Sequence, residues 1–312
     1  MNTFVISTSS FDTDNNAAIQ RLINAGLQPV MNPYGRRLTE DEAATLLNND
    51  VVGMIAGVEP LTVRVIQSAT NLKVISRCGT GMDSVDLTAA KSLGIVVLNT
   101  PEAPAQAVAE LTLGLMLAAL RRICQTDRLV RAGEWPRTQG GLLAAQTVGI
   151  IGLGHIGKRV AKLCQAFEAT VVAYDPYVTQ APADVTIVPM TQLLETADII
   201  SLHTPYSPDL HHLIDAQALA RMKSGAIVIN AARGGLIDEN ALKDALDSGR
   251  LSAAALDAFE QEPYQGSLLK YDNLILSSHV GSLAREARQR MELEAAENLL
   301  NGLIKTGIIR DA

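Results

Sequence analysis

Four polar residues follow successive strand-like segments in the second half of the chain: Arg233, Asp257, Glu262 and His279. Because the carboxyl ends of parallel strands meet at one edge of a sheet, we expect these side chains to converge there. Arg233 could hold a carboxylate with two hydrogen bonds and polarise the carbonyl beside it. His279 could give or take a proton, and Glu262 could pair with it and keep its acid form available near neutrality. The set predicts hydride transfer to or from a carbonyl carbon, with Arg233, Glu262 and His279 as catalytic residues.

Each of these three residues also has a structural interpretation when it is taken alone. Arg233 precedes two glycines and could cap a turn, and Glu262 precedes a proline in a common loop pair. His279 lies in a short polar loop and could be a satisfied structural histidine. The catalytic interpretation therefore depends on the three residues occurring together.

Three glycines with G-x-G-x-x-G spacing, Gly152, Gly154 and Gly157, lie between an apolar run and a helical pattern over residues 158–167. The first permits a tight turn, the second lets a pyrophosphate approach the backbone, and the third lets the helix pack closely on the sheet. The free N–H groups at the helix N-terminus would favour the phosphates. The alternative is that the glycines only serve a turn, but the flanking strand and helix predict dinucleotide binding.

Asp175 ends the next apolar run, at the distance from the glycines that the dinucleotide pattern requires. Its carboxylate would accept hydrogen bonds from the adenosine ribose hydroxyls and would repel a 2′-phosphate, which predicts NAD rather than NADP. Of the remaining histidines, His155 is interpreted as a residue with backbone contacts to the cofactor and His203 as a support for an adenosine pocket. His211 and His212 are interpreted as solvated loop residues.

The segment RCGTGMD, residues 77–83, follows another strand-like run in the first part of the chain. Its glycines would expose backbone N–H groups at the carboxyl end of a sheet, where they could hold a small carboxylate. A plain glycine-rich turn is the alternative, and the residue types alone do not separate the two.

The elements that position these motifs alternate between strand-like and helix-like segments along the whole chain. This rhythm predicts an α/β fold in two domains, each with a parallel sheet, and only the second carries the dinucleotide glycines. Pro101–Arg122 reads as one long helix that is apolar nearly all round, which indicates a buried helix or a subunit interface. At the end of the helix after the glycines, Glu168 occupies a position where a capping glycine would be natural, so we expect a slightly different turn there.

Composition excludes several classes of partner. The chain has 312 residues, 47% of them hydrophobic, and a formal net charge of −7 without a basic tail, which argues against nucleic acid. The longest apolar stretch, Leu111–Leu120, is too short to span a bilayer, and the N-terminus lacks the basic segment of a signal peptide. Three cysteines without a C-x-x-C pair favour reduced thiols in the cytoplasm, and no set of residues has metal-ligand spacing.

Six segments together resemble one family. They are residues 77–111, the VGIIGLGHIG and YDP motifs around the glycines and Asp175, and the segments NAARGGLIDENAL, ALDAFEQEP and HVGS. The chain is similar to the D-isomer-specific 2-hydroxyacid dehydrogenases, and most similar to their D-3-phosphoglycerate dehydrogenase branch. The resemblance implies a Rossmann doubly wound NAD domain over residues 100–282. It also implies a smaller flavodoxin-like substrate domain over residues 1–99 and 283–312, and a homodimer built largely from the NAD domain.

The resemblance also implies roles for individual residues. Substrate contacts are expected from Arg77, Cys78, Gly79, Thr80, Arg233 and His279. Cofactor contacts are expected from Thr80, Gly152, Gly154, His155, Ile156, Gly157, Asp175, Thr204, Pro205, Ala231, Ala232, Arg233, Asp257, His279, Gly281 and Ser282.

Two departures from the family pattern bear on the substrate. Residues 56–59 lack the basic side chains with which phosphoglycerate-specific members bind phosphate, so Arg77 and Arg137 are the candidate phosphate partners. After His279, residues 282–284 replace the usual small residues and threonine and could reshape the pocket wall. We therefore expect NAD-linked interconversion of a small 2-hydroxy acid and its 2-oxo acid, D-3-phosphoglycerate among them. The alternatives are a reductase of glyoxylate, hydroxypyruvate or another 2-oxo acid, and an NAD-sensing, corepressor-like binding protein.

Overall fold

Short runs of aliphatic residues form strands that pair only in parallel, in two separate sheets, across the described part of the chain. The computed structural model describes residues 2–310. The chain folds as two units, the first made of Met1–Pro104 with Leu283–Ala312 and the second of Ala105–Ser282. The predicted α/β fold class is confirmed.

The first unit begins with nine alternating elements: β1 (Thr3–Ile6), α1 (Ala17–Asn24), β2 (Gln28–Met31), α2 (Glu40–Leu46), β3 (Val51–Ala56), α3 (Val63–Ser68), β4 (Val74–Arg77), α4 (Leu87–Ser92) and β5 (Val96–Asn99). Its sheet has the strand order β2-β1-β3-β4-β5, which is the flavodoxin-like order. Each of the four helices starts where a side-chain oxygen accepts a backbone N–H bond, from the N-caps Asn16, Thr39, Thr62 and Asp86.

The second unit contains the elements α5 (Ala105–Leu120), α6 (Ile123–Arg131), β6 (Thr147–Ile151), α7 (His155–Ala166), β7 (Thr170–Tyr174), β8 (Val185–Ile187), α8 (Met190–Thr196), β9 (Ile199–Leu202), α9 (Ala216–Arg221), β10 (Ala226–Asn230), α10 (Glu239–Asp247), β11 (Leu251–Leu256) and β12 (Leu274–Leu276). Its sheet has the order β12-β11-β10-β9-β6-β7-β8. This is the doubly wound order of the Rossmann fold, and the strand order reverses between β6 and β9. Ligands of such sheets bind outside the carboxyl ends of the strands at that reversal.

The last helix, α11 (Arg285–Lys305), belongs to the first unit and packs on its sheet. Two glycines allow this close approach. A Cβ on Gly53 would lie 2.6 Å from Leu299 Cδ1, and one on Gly302 would lie 2.7 Å from Val74 Cγ1. The hydroxyl of Ser76 in β4 donates to the carbonyl of Ala295 in α11 at 2.7 Å. The C-terminal segment therefore completes the core that the N-terminal segment begins.

The prediction of one long helix over Pro101–Arg122 is wrong at both ends. The helix α5 begins at Ala105 and ends at Leu120, and α6 follows after Arg122, whose φ of 51° is left-handed. The glycine loop before β6 explains the break, because the N–H of Gly141 donates to the carbonyl of Leu120 at 3.1 Å and so caps α5. No helix of the described residues is long and apolar enough to cross a membrane.

The expectation of an unusual turn at Glu168 is also wrong. The N–H of Ala169 donates to the carbonyl of Cys164 at 3.1 Å, and the N–H of Glu168 donates to that of Gln165 at 2.8 Å. These two bonds are the usual Schellman ending of a helix. Glu168 adopts the left-handed conformation itself, with φ 63°, at a cost of about 1–2 kcal/mol that a glycine would avoid.

Candidate active site

The second unit brings Glu262 and His279 into direct contact at the carboxyl edge of its sheet. The loop after β11 carries Glu262, and the loop after β12 carries His279. His279 Nδ1 lies 2.9 Å from Glu262 Oε1 and 3.0 Å from Oε2. A ring held at Nδ1 by a carboxylate has a fixed orientation, and Nε2 is then the nitrogen that can exchange a proton with a substrate. The geometry fits a general acid–base pair.

Asp257 holds the loop that carries His279. Its carboxylate is 1% exposed and accepts three hydrogen bonds, from Ser277 Oγ at 2.6 Å, Val280 N at 2.9 Å and Gly281 N at 2.8 Å. His279 has φ 55°, a left-handed conformation that is costly for a residue with a side chain. The bonds on both sides of His279 explain how this conformation is maintained. The structure thus places Asp257, expected to contact the cofactor, against the backbone that follows His279.

Arg233 lies on the turn that follows β10, and this turn packs against the loop that carries Glu262. A Cβ on Gly234 would lie 1.8 Å from the carbonyl carbon of Phe259, so only glycine fits between the two backbones. The N–H of Phe259 donates to Glu262 Oε1 at 3.1 Å. The guanidinium of Arg233 donates to the carbonyl of Ala232 at 2.8 Å.

Sequence reasoning missed Asn230, which shapes this turn. The residue is 1% exposed, its amide nitrogen donates to the carbonyl of Arg233 at 2.7 Å, and its amide oxygen accepts from the N–H of Ala232 at 3.0 Å. The sequence could have indicated this role of Asn230, because an asparagine that ends a buried strand directly before a turn commonly forms such bonds.

The surroundings of the three glycines after β6 show why each of these positions carries a glycine. Gly152 has φ 94°, and a Cβ there would lie 2.7 Å from the backbone of His203. A Cβ on Gly157 would lie 2.0 Å from the carbonyl oxygen of Gly152, so the turn and α7 touch backbone to backbone. A Cβ on Gly154 would meet nothing within 4 Å, and α7 begins at the next residue, His155. Open space in front of a helix N-terminus fits a pyrophosphate.

Asp175 follows β7 and lies beside the same turn. One carboxylate oxygen accepts from the N–H of Leu153 at 2.8 Å, and the other accepts from the N–H of Tyr177 at 2.9 Å. The carboxylate is therefore fixed next to the glycines and retains lone pairs for further donors. This position fits the binding of ribose hydroxyls, and together with the open space at Gly154 it shows that the residues present suit a dinucleotide.

His203 is buried at the end of β9, with Nε2 2.8 Å from Ser201 Oγ. Burial lowers the pKa of its imidazole to about 3, so this histidine is neutral at physiological pH. The remaining predicted cofactor residues of the second unit occupy the first turn of one helix and three loops: His155 and Ile156 at the start of α7, Thr204 and Pro205 after β9, Ala231 and Ala232 after β10, and Gly281 and Ser282 after β12.

The turn after β4 in the first unit is filled by its own side chains. Arg77 is 8% exposed and donates to the carbonyl of Cys78, and a Cβ on Gly79 would lie 1.7 Å from Arg77 Nη1. The N–H of Gly79, expected to hold a carboxylate, donates to Thr100 Oγ1 at 2.8 Å. The thiol of Cys78 is buried, and burial raises its pKa to about 11.

Thr80 and Arg137, by contrast, are both exposed, in the first and second unit respectively. The carbonyl of Thr80 accepts from Asn99 Nδ2 at 2.8 Å. Within the described residues, no group of three or more His, Cys, Asp or Glu side chains is arranged to hold a metal ion.

Comparison with known proteins agrees with this arrangement. Residues 113–281 match the family model described as D-isomer specific 2-hydroxyacid dehydrogenase, NAD binding domain. The chain is 42% identical over 269 residues to a D-3-phosphoglycerate dehydrogenase of Methanocaldococcus jannaschii, covering 84% of this chain and 51% of that protein. It is 39% identical over 272 residues to a hydroxypyruvate reductase of Thermotoga maritima, covering 85% of this chain and 89% of that protein. The chain therefore spans about half the length of several of its relatives, such as the M. jannaschii protein.

Solved structures are similar over nearly the whole chain. A glyoxylate reductase from Paecilomyes thermophila is 28% identical, with a TM-score of 0.87 over 98% of this chain and 96% of that one. A protein from Thermus thermophilus is 35% identical, with a TM-score of 0.87 over 97% of both chains. Sequence, fold and site geometry agree that the chain belongs to the D-isomer-specific 2-hydroxyacid dehydrogenase family.

Proposed function

We propose that the protein is an NAD-dependent dehydrogenase that interconverts a small D-2-hydroxy acid and its 2-oxo acid. The observation that carries the proposal is the Glu262–His279 pair, which lies at the same sheet edge as a glycine turn that fits a dinucleotide. In this proposal Arg233, Glu262 and His279 are catalytic, the second unit binds NAD, and Arg233 and His279 contact the acid.

Bound NADH supplies a hydride to the carbonyl carbon of the oxo acid. Arg233 holds the substrate carboxylate and polarises the carbonyl oxygen. His279 donates the proton at Nε2 that turns this oxygen into a hydroxyl, and it accepts the proton when the reaction runs in reverse. Glu262 orients the ring through its contact with Nδ1.

Two observations favour an unphosphorylated oxo acid over 3-phosphohydroxypyruvate. Arg77, a candidate phosphate partner, directs its guanidinium to the carbonyl of Cys78. The neighbouring loop after β3 carries Glu59, which is 1% exposed and accepts the N–H of Gly57 at 3.1 Å. This loop, residues 57–60, therefore supplies no basic side chain for a phosphate. The relatives that reduce hydroxypyruvate or glyoxylate, by their names, are consistent with this choice.

The test is NADH oxidation with hydroxypyruvate, glyoxylate, pyruvate and 3-phosphohydroxypyruvate, each repeated with NADPH. The matched variant is His279→Asn, because asparagine tolerates the left-handed backbone but cannot donate the proton. We expect kcat to fall by about 10²-fold or more while NADH still binds. Preference for the phosphorylated acid would reassign the substrate. NADH binding without turnover of any of the four acids would favour the corepressor-like binding protein instead.

We also propose a cytoplasmic homodimer. The helix α6 buries no residue within its own chain, and Ile123, Trp135 and Leu142 are 54%, 83% and 67% exposed. Apolar side chains grouped along one segment indicate a covered surface in the assembled protein. The three cysteines are unpaired, as expected for a reducing compartment. Light scattering tests the dimer, and we expect Trp135→Ser combined with Leu142→Ser to yield a monomer.

A further inference from the structure

A second histidine–carboxylate pair joins the loop before α9, which carries His212, to the loop that carries Glu262. His212 Nε2 is 2.8 Å from Glu260 Oε1, and Glu260 lies two residues before Glu262. His212 was interpreted from sequence as a solvated loop residue, but its side chain is 31% exposed and paired. The pair therefore needs an explanation that solvation does not supply.

His212 is fixed by further contacts besides the one with Glu260. Its N–H donates to the carbonyl of Gly235 at 2.8 Å, and its ring stacks on His211 with centroids 3.8 Å apart. Asp238 Oδ2 lies 3.9 Å from Nδ1. The backbone of His212 is left-handed, with φ 55°, which is an unfavourable conformation for a residue with a side chain. The surrounding contacts therefore hold this residue in a strained conformation.

These contacts join the two segments that carry catalytic residues. Gly235 belongs to the turn of Arg233, and Glu260 belongs to the loop of Glu262, so His212 bonds to both. Glu260 makes a second hydrogen bond, in which its backbone N–H donates to Glu239 Oε1 at 2.9 Å. The preceding N–H, that of Phe259, donates to Glu262 Oε1 at 3.1 Å. The orientation of this backbone thus sets the position of the catalytic carboxylate.

We propose that His212 and Glu260 are positioning residues that fix the Glu262 loop against the Arg233 turn and thereby aim the Glu262 carboxylate at His279. The inference rests on the proposed function, since it gives the pair a part in that reaction. Neither residue touches the proposed reacting groups. Their effect is transmitted through Glu262.

The partial exposure of the pair distinguishes this positioning role from a general contribution to stability. The side chains of His212 and Glu260 are 31% and 38% exposed, and polar side-chain pairs at such partly exposed positions contribute little to the stability of the fold. A displacement of about 1 Å at a catalytic group, however, can lower a rate by up to about 10²-fold. Loss of the pair should therefore change turnover much more than the melting temperature.

The main variant is His212→Asn, since asparagine tolerates the left-handed backbone and keeps the N–H bond to Gly235 but is too short to replace Nε2. With hydroxypyruvate and glyoxylate we expect kcat to fall about tenfold, with KM values for the acid and NADH changed less than about twofold. Glu260→Gln retains an acceptor oxygen for His212 and should stay near wild-type turnover, whereas Glu260→Ala should match His212→Asn. The matched control is Lys223→Gln, which breaks a similarly exposed contact, that of Lys223 Nζ with Asp198 Oδ1 at 2.8 Å, and touches neither His212 nor His211.

A double-mutant cycle decides whether the effect passes through Glu262. In a Glu262→Gln background, His212→Asn should lower kcat no further, because the group it positions has already been changed. An equal loss in both backgrounds would assign His212 a general structural role and overturn the inference.

A readout without turnover keeps the two proposals apart. The Hε1–Cε1 resonance of His279, assigned by its absence in His279→Asn, should shift in His212→Asn and stay in place in Lys223→Gln. If the wild-type protein reduces none of the acids, the proposed function fails while this shift still supports the positioning role. An unmoved resonance in His212→Asn overturns the positioning role whether or not the protein is active.

Discussion

Two turns of the molecule look alike in sequence and differ in what surrounds their glycines. Residues 77–83 follow β4 in the first unit, and residues 152–157 follow β6 in the second. Both turns leave a parallel strand and contain a glycine at positive φ, 140° for Gly79 and 94° for Gly152. The interior of the first turn is filled by a guanidinium and a threonine hydroxyl, whereas the second leads directly into α7.

The difference shows what makes a glycine turn able to bind phosphate. In the first turn the N–H of Gly79 already has an acceptor in Thr100, and the next helix begins only at Leu87. In the second, the space beside Gly154 is open and lies at the N-terminus of a twelve-residue helix. Open space and unsatisfied helical N–H groups matter more than the number of glycines.

The largest effect is expected from Gly157→Ala. The added methyl group would lie 2.0 Å from the carbonyl oxygen of Gly152, so the backbone of either the turn or α7 must move. We expect the free energy of unfolding to drop by about 3 kcal/mol or more, with loss of NADH binding. Denaturant unfolding and NADH fluorescence titration measure the two effects.

Its control is Gly154→Ala, where the methyl group meets nothing within 4 Å. Here we expect the stability to fall by no more than about 1 kcal/mol, because Gly154 is the N-cap of α7, where alanine is less favourable than glycine but meets no steric clash, while the NADH affinity still falls. Normal NADH affinity in Gly154→Ala would show that no phosphate approaches this glycine.

A smaller effect is expected from Gly79→Ala in the first unit. The φ of 140° disfavours any side chain, and the guanidinium of Arg77 would have to move aside. We expect a loss of about 2 kcal/mol in the stability of the first unit and an unchanged NADH affinity. A loss of NADH affinity as large as that of Gly154→Ala would abolish the distinction between the two turns.

Asp175→Asn tests the carboxylate that lies beside the second turn. The amide keeps an acceptor for only one of the two backbone N–H groups, those of Leu153 and Tyr177, which bond to different carboxylate oxygens, and it removes the negative charge. We expect the ratio of NADPH to NADH affinity to rise about tenfold, equivalent to about 1.4 kcal/mol. An unchanged ratio would mean that the charge of Asp175 does not select the cofactor.

The smallest effect concerns His203, which packs against Gly152. Its folded pKa of about 3 lies below the ordinary value of 6.5, so between these values the unfolded chain binds a proton that the folded chain does not. Stability is therefore lost as the pH falls through this window. Between pH 7 and pH 6 the loss is about 0.7 kcal/mol for this group. His203→Asn should remove that part of the pH dependence, as measured by denaturant unfolding at both pH values.

Features that depend on neighbours in sequence were predictable, and those that depend on distant neighbours were not. The glycine turn, Asp175 and the strands around them follow from local periodicity and spacing, and the Rossmann and flavodoxin-like sheets confirm the fold class. The contact between His212 and Glu260 joins residues 48 positions apart, and it could not be inferred without the strand order. The left-handed Glu168 could not be predicted either, since tertiary packing overrides the preference for glycine.

The discontinuity of the first unit has a consequence for synthesis. Ser76 in β4 and its partner Ala295 in α11 are 219 residues apart, so a ribosome needs about 10 to 45 seconds to reach the second after the first. During that interval the face of the sheet at Gly53 and Val74 lacks the helix that covers it. The unit whose strands are translated first is thus the last to complete its core, and its bare sheet face is the surface of the nascent chain that most needs protection from aggregation.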